Sequence, residues 1–294
     1  MGSRIALGGA RLTRVVETQV QMPTSLFAGT APQAWADNAD LLVPDFWDRQ
    51  TDQWRIAMQS WVIEVDGLVV VVDTGVGNDR DRPHMPPLDH LSTDFLADFT
   101  AAGFDPAAVD VVVNTHLHTD HVGWNTQLVD GRWVPTFPNA RYVMPEPDYR
   151  YFGPGGDGEN DATRTVLADS VIPVTDQIQL WTHDLVLSDA LRLRPAPGHT
   201  PGTSVLWLDA GRPAVFVGDL THCPIQIRRP DDVCAFDVDP AAARGARRRV
   251  FGEAARANAV VIPAHYPGHG GATITGGADA AGFAVEDWLS IETI

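Results

Sequence analysis

Apolar and polar positions alternate along this chain in short, strand-sized runs that are interrupted by helical periods. From Trp61 to Asp73 the sequence WVIEVDGLVVVVD predicts two strands joined at Asp66-Gly67, a pair suited to a tight hairpin, and Thr74-Gly75 ends the second strand. Residues Asp94 to Ala102 place Phe95, Leu96 and Phe99 on one helical face and stop at Gly103. Val109 to Val113 predicts a short strand that delivers the chain to Asn114 and Thr115. Further strands are predicted at Arg141 to Met144, Leu191 to Arg194, Val205 to Leu208, Ala214 to Val217 and Val260 to Ile262. Asp239-Pro240 opens an Ala- and Arg-rich helix running to about Ala257. Interleaved strands and helices favour an α/β layered fold. The stretch GPGGDGEND after Phe152 has no GKS or GKT behind it and reads as an exposed loop, not a phosphate cradle. Residues 1–294 are expected to form a single domain, with 1–60 as an N-terminal extension contributing to a substrate pocket or a dimer contact.

Composition narrows the chemistry. The chain has 294 residues, 44% of them hydrophobic, enough for a large buried core. All 21 basic residues are Arg, so no mechanism needing a lysine amine is open to it. The net charge of −17 disfavours a phosphate backbone as partner, and nucleic acid is not expected. Cys223 and Cys234 are too few for a disulfide scaffold or a cysteine-built metal site and are expected to be reduced thiols. Residues 1–20 lack the continuous apolar stretch of a signal peptide, and no run reaches the length of a bilayer-spanning helix. The expected setting is cytoplasmic, with a small-molecule substrate, no membrane partner and a possible homodimer.

The strand at Val109 to Val113 runs directly into His116-Leu117-His118-Thr119-Asp120-His121. Four potential ligands within six residues, where a strand gives way to a loop, can aim at one point, and imidazole with carboxylate suits zinc or a similar divalent ion. His199 in PGHTPG, Asp219 and His265 each sit at or just beyond the end of a predicted strand. Any one of these alone reads as a turn or surface residue, whereas together with the first cluster they read as ligands.

With VVVVDTG at 69–75, THLHTDH at 115–121, PGHTPGT at 197–203, GD at 218–219 and AH at 264–265 in this order, the sequence resembles the metallo-β-lactamase fold superfamily over roughly residues 60–270. The resemblance implies an αββα sandwich with a dinuclear metal centre at the sheet edge. It assigns His116, His118 and His199 to a first metal and Asp120, His121 and His265 to a second, with Asp219 bridging both. The pattern is most similar to the N-acyl homoserine lactonases and the methyl parathion hydrolase group. Where many lactonases carry a Tyr three residues after the bridging Asp, this chain has His222.

These residues imply a hydrolase using two divalent ions, expected to be Zn2+, with a bridging hydroxide as nucleophile and Asp120 or His222 passing a proton to the departing alkoxide. The expected substrate is a lactone or carboxylic ester with a hydrophobic group. Phosphotriester hydrolysis and a metal-stabilised, non-catalytic binding protein stand as alternatives. Trp124, Phe46 and Trp47 are expected to line the substrate pocket, Trp124 foremost because it lies three residues beyond His121.

Overall fold

A computed structural model describes residues 2–277 and 282–293. Asp66 and Gly67 both take positive φ, +54° and +76°, as a hairpin turn of the primed type requires, and Gln53–Val65 pairs antiparallel with Leu68–Val72 across them. Leu68–Val72 then pairs in parallel with Val111–Val113, which pairs in parallel with Arg141–Pro145. Asp110 falls outside that strand but still closes the edge, since its Oδ2 accepts a hydrogen bond from Val69 N.

Two sheets result. The first has nine strands among the described residues. From one edge it runs Ile178–Trp181, Arg141–Pro145, Val111–Val113, Leu68–Val72, Gln53–Val65, Ala10–Pro23, Gly2–Leu7 and Glu292–Thr293, with Trp47–Asp48 added onto Gln53–Val65. The second has seven, in the order Leu185–Val186, Leu191–Pro195, Ser204–Asp209, Pro213–Gly218, Val260–Pro263, Ala272–Gly276 and Phe283–Trp288. Leu12, Trp61, Ile63 and Val70 of the first sheet meet Leu193, Leu206, Phe216 and Ile262 of the second in one buried layer. On the outer face of the first sheet lie Phe95 and Phe99 of the helix Phe95–Ala101.

The long helix Pro240–Ala257 covers the second sheet with Val250, Phe251 and Ala254. The Asp239 side chain caps it by accepting from Ala241 N and Ala242 N, which satisfies donors with no partner inside the helix. These layers make the αββα sandwich. The first sixty residues supply the fourteen-residue strand Ala10–Pro23 and most of Gln53–Val65, both inside the first sheet. No helix among the described residues is long and apolar enough to cross a membrane.

Candidate metal centre

The candidate ligands sit on the loops and the helical turn that follow strand ends. Val111–Val113 leads through His116 to His118, whose backbone is extended, and the chain then turns into the helical turn Thr119–Val122. That switch separates the motif into two sets. His116, His118, His199 and Asp219 present donor atoms within 4.8 Å of one another, and Asp120, His121 and His265 form a second group meeting the same limit. Asp219 joins the two: its Oδ2 lies 3.3 Å from His199 Nε2, and its Oδ1 lies 3.0 Å from His265 Nε2 and 3.3 Å from His121 Nε2.

The outward-facing ring nitrogens are occupied. His121 Nδ1 meets Asp73 Oδ2 at 2.9 Å, His199 Nδ1 meets Asp237 Oδ1 at 3.1 Å, and His265 Nδ1 meets the Ala57 carbonyl at 2.9 Å. Protons held on these Nδ1 atoms leave the Nε2 lone pairs facing inward. There they crowd one another: His121 Nε2 is 3.2 Å from His265 Nε2, and His118 Nδ1 is 3.1 Å from His116 Nε2 and 2.9 Å from His199 Nε2. Opposed lone pairs at such distances repel unless a proton or a cation lies between them.

The titration behaviour of the ring atoms agrees. Burial holds His116 well below its ordinary value and pushes His118 down to about 3, so both stay neutral as ligands must. Burial acts on His121 and His265 in the same direction, but Asp219 with Asp73 and Asp120 around His121, and with Asp120 around His265, outweighs it and raises both. The carboxylates thus favour positive charge at those two rings, which a divalent cation at their Nε2 atoms would supply in place of a proton. The donor set therefore fits a divalent metal site.

The family model of the metallo-β-lactamase superfamily matches residues 58–265. The chain belongs to this superfamily. Among curated relatives, the N-acyl homoserine lactonase AttM of Rhizobium radiobacter is 33% identical over 35% of this chain and 36% of its own length. AttM of Azorhizobium caulinodans is 33% identical over 36% of this chain and 38% of its own length. The match thus spans a little over a third of these relatives. Among solved structures, the hydrolase AbOPH of the beta lactamase superfamily superposes with a TM-score of 0.80 at 20% identity, covering 100% of this chain and 98% of its own. AidC, a dizinc quorum-quenching lactonase in complex with a product, superposes with a TM-score of 0.78 at 19% identity, covering 98% of both chains.

In this superfamily member His118, His199 and Asp219 of the first donor group and Asp120 and His265 of the second form the floor of a cavity of about 520 Å3. Its walls are largely apolar. Val20, Met22, Leu26, Ile56 and Met58 come from the N-terminal part of the chain, Met85 to Leu88 from a loop, and Ala162, Val166 and Leu167 from a helix reached through Asn160 at the end of the Gly-rich stretch. Asp120 and His222 also face it. His222 Nε2 is 3.2 Å from Asp219 Oδ2, yet the alignment is not that of a hydrogen bond, and neither ring nitrogen has a partner. Burial keeps this imidazole neutral against the pull of Asp219.

The three aromatic residues expected in the pocket are elsewhere. Trp124 stacks on Phe95 at 5.2 Å and donates its Nε1–H to Glu17 Oε1 at 2.7 Å, buried under the metal loop and outside the cavity. Phe46 stacks on Trp288, and Trp47 packs beside Trp35, so both belong to the core on the outer side of the second sheet. Their bulk is used in packing because each finds an aromatic neighbour inside the core.

Other supporting residues escape the sequence reading. Asp148 accepts from Leu117 N, Thr200 Oγ1 and Gly202 N, tying the His118 loop to the His199 loop. Asp73, Asp237 and Glu17 play comparable parts. Of these only Asp73 carried a signal, as the Asp that closes the VVVVDTG strand.

Proposed function

We propose that this protein is a hydrolase dependent on two divalent cations, Zn2+ in the simplest case, that opens a lactone or cleaves a carboxylic ester bearing a hydrophobic acyl group. The observation carrying this reading is the convergence of seven donors at the base of an apolar chamber, five of which, His118, Asp120, His199, Asp219 and His265, line it directly. The lactonase names of the AttM relatives, and the N-acyl homoserine product held by AidC, support an acyl-bearing lactone as the first substrate class to test. His116, His118 and His199 would hold one cation and Asp120, His121 and His265 the other, with Asp219 between them.

Cations bound there supply Lewis acidity and make water a competent nucleophile near neutral pH. The chain does the rest. Apolar walls take the acyl chain and exclude bulk water, which leaves the acyl carbon over the donor groups. Burial opposes ionisation of Asp120, but His121 and His265 overcome it and hold its carboxyl below the usual range. The ionised carboxylate accepts the proton released by the attacking water and returns it to the alkoxide oxygen as the acyl C–O bond breaks. His222, neutral and without a hydrogen-bond partner, donates an N–H to the carbonyl oxygen as negative charge develops there.

The test uses protein stripped of metal and titrated with Zn2+. A long-chain N-acyl homoserine lactone, an aryl ester and a dialkyl aryl phosphotriester are then offered to the same preparation. Two equivalents of bound metal with turnover of the lactone or the ester is the expected result. Turnover of the phosphotriester alone transfers the assignment to that class, and two bound equivalents with no turnover leaves a binding protein.

A further inference from the structure

The loop presenting Met85 to Leu88 and the helix presenting Ala162 and Val166 are two of the chamber's walls, and one residue that does not line it is bonded to both and to the floor. Arg82 is fully buried. Its Nη1 and Nη2 donate to Asp169 Oδ2 and Oδ1 at 2.8 and 2.9 Å, a two-pronged pair that fixes orientation as well as distance. Asp169 lies in the π-helical turn Leu167–Val171, which continues directly from Asp161–Val166, the helix whose Ala162 and Val166 face the chamber. A third donor, Arg82 Nε, reaches Thr119 Oγ1 at 2.5 Å, and Thr119 sits on the floor between His118 and Asp120.

The loop wall is bound through the Arg82 backbone. Its N–H donates to Asp89 Oδ1 at 2.5 Å and its carbonyl accepts from Met85 N at 2.8 Å, folding the loop that presents Met85 and Leu88 to the cavity. Arg80 reinforces the same junction by donating from Nη1 to the Asp169 carbonyl at 2.9 Å. A π-helical turn of this kind occurs often at functional sites, where it re-aims a helix face.

We propose that Arg82 is a positioning residue that sets the spacing between the two apolar walls and the metal-loop floor, so that selectivity for acyl-chain length depends on a side chain that touches no substrate. The inference rests on the reading of the chamber as the substrate site. Lysine cannot substitute, because a single ammonium head cannot span Asp169 and Thr119 while holding a planar fork. Asp169→Asn tests the other end of the pair with little change in volume.

The experiment reads binding, not turnover. Calorimetric titration of metal-loaded protein with decanoate and with butanoate gives the preference for the longer chain in the parent, in Arg82→Lys and in the milder Asp169→Asn, with metal content and far-ultraviolet circular dichroism confirming that each variant is folded and loaded. The parent is expected to favour decanoate, and that preference is expected to shrink by about tenfold in both variants, the scale of small misfits in an apolar pocket. An unchanged preference in either folded variant overturns the proposal, as does a parent that does not distinguish the two acids. Failure of the hydrolase reading shows up separately, as absent turnover with the decanoate preference and its dependence on Arg82 intact.

Discussion

His121 Nδ1 lies 2.9 Å from Asp73 Oδ2, and the same carboxylate accepts from Thr115 N at 2.7 Å and Thr115 Oγ1 at 2.8 Å. One side chain therefore orients a ligand of the second donor group and holds the strand end that delivers His116 of the first. Asp73 has φ of +52°, which asparagine also tolerates, so Asp73→Asn keeps the backbone while weakening the acceptor. The expected result is a loss of about 10–100-fold in metal affinity, measured by competition with a chromophoric chelator. Unaltered affinity would show that His121 needs no such partner.

Removing metal should lower stability as well as activity. Cations that bind only the folded chain stabilise it by mass action, and their loss leaves inward-facing lone pairs and carboxylates opposed. Chelation is expected to reduce the Tm and abolish turnover, and added Zn2+ should restore both. His116→Ala and Asp219→Ala should not be rescued by added metal. Elemental analysis alongside the assay decides this, since a fully active, metal-poor Asp219 variant is incompatible with the proposed mechanism.

Trp124 gives the clearest contrast between position in sequence and position in space. Its Nε1–H bonds to Glu17 at 2.7 Å, and its ring stacks on Phe95. Trp124→Phe should leave KM for short and long acyl substrates unchanged, because the ring is outside the chamber. It removes one donor from a buried carboxylate and is expected to cost about 1–3 kcal/mol of stability by chemical denaturation. A change in substrate preference without loss of stability would return Trp124 to the pocket.

The donor residues could be read from the sequence because they follow strand ends: His116 beyond Val111–Val113, Asp219 beyond Pro213–Gly218, and His265 beyond Val260–Pro263. Local patterning locates strand ends, and chemistry-bearing residues stand out there. The hairpin at Asp66-Gly67 and the cap at Asp239 were legible for the same reason, since both are short-range devices. The chamber walls were not. Val20, Met85 and Val166 are ordinary apolar residues until the sheet register and the 82–89 loop bring them together. Trp124 is drawn from the cavity by Glu17, a partner 107 positions away that no local window contains.

Glu17 itself is the most exposed to test by pH. The strand pairing shifts register between Val16 and Thr18, so Glu17 is an extra residue in its strand, and its carboxyl turns toward Val76 N at 2.7 Å and Gly77 N at 2.9 Å. Burial pushes this carboxyl up to about 7 despite the three N–H donors around it, against an unfolded value of about 4.5. Between those values the folded protein holds a proton that the unfolded chain has lost, so this group's contribution to stability is complete below about pH 4.5 and disappears as pH rises through about 7, by ~3 kcal/mol at most. Glu17→Gln removes the titration and turns an amide N–H toward a backbone or indole donor, which makes the variant less stable. The stability advantage of the parent over the variant should therefore be largest near pH 4.5 and narrow steadily toward neutrality. Denaturant titrations of both proteins across that range measure it directly, and an advantage that stays constant with pH would mean that Glu17 is ionised in the folded protein throughout.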